Sequence, residues 1–331
     1  MIFGPCGGVR ANGDCEVVEG QPCVFLEMPL TRWPEAEAAA APAPAAVRLA
    51  DGGPFVVTDL HVRPRHLGSL RDVAQRLKGT CDAVLVGDHG GTRNDFSPSF
   101  TAAALVAEGI SPWVTLSCRD RNRVALAAEC AALAEIGVAG VHCVTGDWQG
   151  VAGGQGETKV FDLDALRLVD LARGHGLTVS VAAAPAAPPT HLRAARLVEK
   201  VNAGAQLCLV NHAGGPMPVA RFVARARQLG ADIPIVACIP FLSDRAPVQI
   251  LASLPGLVLD PTAVDAASHD PRGAEGGIAA AMAEAAAMMA IDGVVGVNLS
   301  GAASSVSEVD SAELMAELGR GIRARGERVP A

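Results

Sequence analysis

The chain has 331 residues, a net charge of -8 and a pI near 5.5, a balance that argues against a nucleic-acid or polyanion surface, which needs a clustered basic face. With no Tyr and only 3% aromatic residues, there is little material for base-stacking platforms. Nothing approaches an uninterrupted span of ~20 apolar residues and the start lacks the regions of a signal peptide, so a cytoplasmic protein with no membrane contact is expected.

Residues 1–33 hold Cys6, Cys15 and Cys23 among glycines and charged residues. Thiolates are good ligands for zinc or iron-sulfur iron, and glycines let a backbone turn around a metal. The spacings lack a Cys-x-x-Cys knuckle, so a loop with free cysteines is the competing reading. Residues 34–53 are rich in Ala and Pro and read as a linker. Residues 54–331 then fit one barrel of typical size, ~250 residues.

Within that span short apolar runs alternate with helical spacing. Phe55–Leu60 is a first strand, followed by His61, Arg63, Pro64, Arg65 and His66. Leu67–Lys78 is helical, and Asp82–Val86 is a second strand ending in Gly87, Asp88 and His89. After a helix over Phe100–Glu108, Pro112–Cys118 is a β-branched run of the kind that makes a buried parallel strand. It stops at Arg119, Asp120, Arg121 and Asn122. Arg123–Ile136 has helical periodicity and ends before Gly137, a C-cap residue. Gly140–Val144 is the fourth strand, closing on Thr145, Gly146 and Asp147.

The glycine-rich run 150–156 does not open directly onto a helix, so it reads as a lid or spacer rather than a phosphate loop. A helix starts at Asp162. Strands follow at Thr178–Ala183, Gln206–Val210, Ile233–Ile239 and Val294–Leu299, with helices at Leu192–Val201, Ala279–Ala290 and Glu308–Arg325. This order predicts an α/β fold, a (β/α)8 (TIM) barrel with a small cysteine-containing N-terminal extension. Residues just past the carboxyl ends of barrel strands line one mouth, so the Arg-Asp-Arg-Asn and Thr-Gly-Asp ends aim their charges at one pocket. The cysteines from Cys81 to Cys238 read as buried small hydrophobes in a reducing compartment.

Thr115–Asn122 (TLSCRDRN), Val144–Asp147 (VTGD), Lys159–Asp164 (KVFDLD) and Lys200–Ala205 (KVNAGA) occur in this order. Together they resemble segments of the methylenetetrahydrofolate reductase family over about Pro54–Ser300. Residues 1–33 resemble a cysteine-bearing accessory module found with some of that family's members. The resemblance implies an oxidoreductase that interconverts 5,10-methylenetetrahydrofolate and 5-methyltetrahydrofolate with NAD(P)H as electron donor. A folate or pterin-binding, or methyl-transfer, accessory protein is the alternative. A homo-oligomer or a redox partner subunit docked on the cysteine module is consistent with either.

Such a reduction needs a carboxylate to steady positive charge and a proton donor near the pterin. The resemblance assigns the first role to Asp147, with an N-cap or loop acid as the other reading. The proton donor falls to Asp59 or His61. In the family a first-strand glutamate precedes two prolines. Asp59 lies one place off that ungapped match, so strand alternation turns it away from the mouth unless a bulge intervenes. Asn211, Asp120 and Asn122 are the implied substrate contacts, although a rim salt bridge accounts for Asp120 and its arginines equally well. Asp88, His89 and Lys200 are the implied cofactor contacts. At the positions matching the flavin contacts stand Ala184, Arg193, Arg196 and Lys200, of which only the lysine is retained. FAD is therefore expected to bind poorly or not at all.

Overall fold

The computed structural model describes residues 54–87, 95–146, 160, 162–242, 248–249, 251, 256–301 and 307–326, together with 10, 12–14 and 20–22 near the start. The proposed metal ligands Cys6, Cys15 and Cys23 and the linker 34–53 lie outside the described residues. In the first segment Asp14 and Pro22 form an antiparallel bridge.

Eight strands run in one direction and close on themselves. They are β1 (Phe55–Asp59), β2 (Ala83–Val86), β3 (Pro112–Ser117), β4 (Gly140–Val144), β5 (Val179–Ala183), β6 (Leu207–Val210), β7 (Ile235–Pro240) and β8 (Val294–Ser300). Each pairs in parallel with the next and β8 pairs with β1, which makes the expected barrel. In register, Val57 stands between Ala83 of β2 and Asn298 of β8.

Strand alternation sorts the apolar residues into two layers. Val56, Val84, Val114, Val141, Val179 and Val297 belong to the large core shared with the surrounding helices. Phe55, Val57, Ala83, Trp113, Leu207 and Val236 form a separate small cluster inside the barrel. A shift in the β7–β8 pairing falls between Ile235 and Val236, and β1 keeps an unbroken register with both of its neighbours.

The helices of the outer layer are α1 (Leu67–Leu77), α2 (Pro98–Ala107), α3 (Arg123–Ile136), α4 (Ala165–Gly174), α5 (Arg193–Asn202), α6 (Pro216–Gln228), α7 (Pro261–His269), α8 (Ala274–Met289) and α9 (Glu308–Gly326). Their starts follow capping chemistry. Helix α2 begins at Pro98, earlier than its apolar spacing suggests, because the Ser97 hydroxyl accepts from Phe100 N and proline suits the first helical turn. Helix α4 begins at Ala165 because Asp164 caps Arg167 N. Asp162, expected to open that helix, instead grips Arg123 through its backbone N and its guanidinium. Helices α6 and α7 are absent from the reading of the sequence, although α6 buries Val219, Phe222, Val223 and Ala226 at helical spacing. No described helix is long and apolar enough to cross a membrane.

Candidate active site at the barrel mouth

The barrel floor is dry. Phe55 meets Trp113 edge to face, with centroids 5.8 Å apart. The indole covers Gly140, where a Cβ would lie 2.6 Å from the ring, so only glycine admits it. Trp113 Nε1 donates to Ser180 Oγ at 2.8 Å, and Ser180 Oγ lies 2.8 Å from His142 Nδ1. Burial, then the nearby Lys200, pushes the His142 imidazole down to about 3. The ring is therefore neutral near pH 7. Ser180 accepts from Trp113, and its own hydroxyl hydrogen has two acceptors within reach, His142 Nδ1 at 2.8 Å and the Val141 carbonyl at 3.5 Å.

One layer higher the lining becomes polar. Asp59 shares the parity of Phe55 and Val57 and faces the lumen. This corrects the expectation that it turns away from the mouth without a bulge: β1 has no bulge, and alternation from Phe55 alone points it inwards. Asn298 Nδ2 donates to Asp59 Oδ1 at 3.0 Å and to Cys238 Sγ at 3.7 Å, and Cys238 Sγ in turn lies 3.8 Å from Asn211 Oδ1. Burial raises the Asp59 carboxyl to about 6, with the Asn298 hydrogen bond acting in the opposite direction. An acid that titrates there can both hold and give up a proton near neutral pH. His61 shares the parity of Asp59 but is exposed beyond the end of the strand.

The rim over β3 and β4 is an ion-pair network. Asp120 binds Arg119 at 2.9 Å and Arg121 at 3.3 Å. The salt-bridge reading of this group is therefore realised, and Asp120 keeps enough exposure to meet a ligand as well. Asn122 caps α3 by accepting from Ala125 N, so only its amide hydrogens remain for another partner. Gly146 has φ +92°, and a Cβ there would fall 2.2 Å from Ser117 Oγ. Glycine lets the exit of β4 pass close over β3. Asp147 follows it in sequence and, like Asp88 and His89, lies outside the described residues. Beside the mouth, a cleft is lined by Thr115, Arg121, Arg63, His66, Asp95 and their neighbours.

On the β5 flank the three cations at flavin-type positions are engaged with their own chain. Arg193 donates to the carbonyls of Ala187 and Pro188, and Arg196 pairs with Glu199. Lys200 is half-buried, with Nζ 2.5 Å from the Ala182 carbonyl, and desolvation lowers its ammonium to about 8. This donor set does not fit FAD, because each head group already serves the β5–α5 connection or helix α5. Among the described residues no group of His, Cys, Asp and Glu is arranged to hold a metal ion.

The structure thus brings Asp59 and Asn211 onto one polar chain and leaves Asp120 and Asn122 at the rim. Lys200 sits in the layer between α5 and β5. Sequence reasoning missed Asn298, Ser300, Cys238, His142 and Ser180, all facing inward. The available signal was a polar residue inside an otherwise apolar strand, as in GVHCV, VSVAA and VVGVNLS.

A family model described as methylenetetrahydrofolate reductase matches residues 66–300. No curated protein matches the chain. Among solved structures, an uncharacterized protein from Clostridium thermocellum that binds two copies of 5-methyl-5,6,7,8-tetrahydrofolic acid superposes with a TM-score of 0.57 at 11% identity, over 85% of this chain and 99% of its own. Tryptophan synthase from M. tuberculosis gives 0.50 at 13% identity, over 87% and 100%. At such identities these likenesses show the barrel alone.

Proposed function

The chain belongs to the methylenetetrahydrofolate reductase family, and from that premise we propose that it binds a reduced folate at the barrel mouth and interconverts 5,10-methylenetetrahydrofolate and 5-methyltetrahydrofolate. The observation that carries this reading is Asp59, a lumen-facing acid that burial holds near neutrality. In the reductive direction Asp59 gives its proton to the amine nitrogen released as the five-membered ring opens, which leaves a cationic iminium carbon. That carbon accepts hydride from a nicotinamide co-substrate and becomes a methyl group, while the nicotinamide departs oxidised. Water then restores the proton to Asp59.

Asp147, next after Gly146, is the carboxylate assigned to steady the cation. Asn211 offers an amide to the pterin and Asp120 contacts the remainder of the substrate from the rim, where Asn122 serves as the cap of α3. Asp88 and His89 are assigned to the nicotinamide. Lys200 acts indirectly, by fixing β5 through the Ala182 carbonyl. His61 is the second candidate donor. Because the flavin-type positions are already engaged, hydride passes directly from NAD(P)H in this reading. The same engagement favours an alternative, a barrel that binds reduced folate without reducing it.

One assay separates the two. Purified protein is mixed with NADH or NADPH and methylenetetrahydrofolate, with and without added FAD, and nicotinamide absorbance is followed. Turnover without FAD that disappears in Asp147→Asn supports the reductase. Tight binding of 5-methyltetrahydrofolate with no nicotinamide oxidation under any condition supports the binder.

A further inference from the structure

Strand β8 ends in two polar side chains that face the lumen, Asn298 and Ser300, separated by Leu299 of the outer core. At a rise of ~3.3 Å per residue, two same-face positions stand ~7 Å apart along the wall. The hydrogen-bond geometry fixes which atoms each presents.

The two hydrogens of Asn298 are directed by its neighbours. An ionised Asp59 is an acceptor only, so the amide nitrogen faces it, and the same nitrogen reaches Cys238 Sγ. The carbonyl oxygen Oδ1 is the polar atom of the amide that these contacts leave over. It is fully buried and has no partner among the described residues, on a side chain only 2% exposed. A buried amide oxygen left unpaired costs on the order of 1–3 kcal/mol. Such an orphan calls for a donor from outside the chain.

Ser300 is fixed in a parallel way. Its Oγ lies 2.6 Å from His212 Nε2, against 3.4 Å from the Ile239 carbonyl. The His212 ring also interacts with the Cys238 backbone, and we assign the ring hydrogen to Nδ1, with Nε2 accepting from Ser300. Burial holds this imidazole neutral. With that assignment the Ser300 hydroxyl hydrogen goes to His212, and its oxygen keeps lone pairs to accept with. With Asp59 beside them, the β1–β8 wall presents acceptors and no spare donor.

We propose that Asn298 Oδ1 and Ser300 Oγ are specificity-determining contacts that select a ligand by a planar edge carrying N–H donors, of the 2-aminopyrimidin-4-one type. This rests on the folate reading above and adds the edge of the pterin that β8 receives. A 2,4-dioxo ring of the same shape turns an oxygen toward this wall and is rejected, because two acceptors then face each other without a proton.

The test uses the full chain at pH 7 and two small probes, 6-methylpterin and 6-methyllumazine, which differ by an amino group in place of an oxo group, with 5-methyltetrahydrofolate as reference. Calorimetric titration is expected to give at least tenfold tighter binding of the pterin. Ser300→Ala is expected to lower pterin affinity about tenfold and leave lumazine affinity unchanged, and Ser300→Thr to restore the preference. Equal affinities for the two probes in the unmodified protein, or a parallel loss of both in Ser300→Ala, overturn the inference while the folate reading stands. Failure to bind 5-methyltetrahydrofolate overturns the folate reading, and this inference with it. The ratio in the unmodified protein needs no variant, so a misfolded Ser300→Ala does not obscure the result.

Discussion

Phe55, Val57, Trp113, Leu207 and Val236 close the barrel at its floor, while a few residues further along the same sheet Asp59, Asn211, Cys238, Asn298 and Ser300 line the axis near the mouth. The floor contains one polar chain, Trp113–Ser180–His142, whose geometry gives the indole hydrogen and the serine oxygen a partner. Near the mouth, burial raises an acid to about 6 and an amide oxygen has no partner among the described residues. A protein core avoids both conditions unless a ligand or a reaction requires them. The floor is built for stability and the mouth region for chemistry, and substitutions should separate the two.

The largest effect on stability is expected at the floor. Trp113→Ala removes the indole over Gly140 and leaves the Ser180 and His142 pair without its donor, so a loss of about 3–5 kcal/mol is expected in urea unfolding. An unchanged midpoint would show that the floor is not the packed layer described.

The mouth should behave in the opposite sense. The folded pKa of Asp59 lies above its unfolded value, so the folded state binds the proton more readily between about 4 and 6, and stability falls as pH rises through that window. Asp59→Asn removes this penalty and should stabilise the protein at pH 7–8 by up to roughly 3 kcal/mol while abolishing turnover. A destabilised variant at pH 8 would break the comparison.

Lys200 sharpens it, as a half-buried charge that serves structure. Its folded pKa of about 8 lies below its ordinary value of 10.5. The unfolded chain therefore binds more protons between those limits, and stability should rise with pH from 8 to 10.5. Lys200→Met should flatten that rise in pH-dependent thermal melts. The smallest effect belongs to Asn122. As a cap for α3 its replacement by Ala should cost about 1 kcal/mol and leave KM for folate unchanged. A raised KM at unchanged stability would return Asn122 to the substrate.

Much of this was legible in the residues. The bounds of α3 and β4 were readable because Asn122 and Gly137 punctuate the helix and the strand is a pure apolar run with one histidine. Helix α7 was not, because its 9 residues are too few for a stripe to stand out, and α6 was overlooked although Val219, Phe222, Val223 and Ala226 form one. Within the site, Asp59 was found as an acid near the end of a strand, but its orientation was taken from a one-residue offset against the family's first-strand glutamate instead of from the alternation of Phe55 and Val57. Asn298 and Ser300 escaped notice because acceptor character depends on partners 60 to 240 residues away in sequence, such as Asp59 and His212, which only closure of the barrel brings together.

The most direct measurement is the pH dependence of kcat/KM for nicotinamide-dependent reduction of methylenetetrahydrofolate, in the unmodified protein and in Asp59→Asn. With Asp59 as the acid, activity should fall above pH 6 along a single-proton limb, and the variant should lose ~100-fold or more together with that limb. A variant that retains both the rate and the same limb would contradict the role assigned to Asp59.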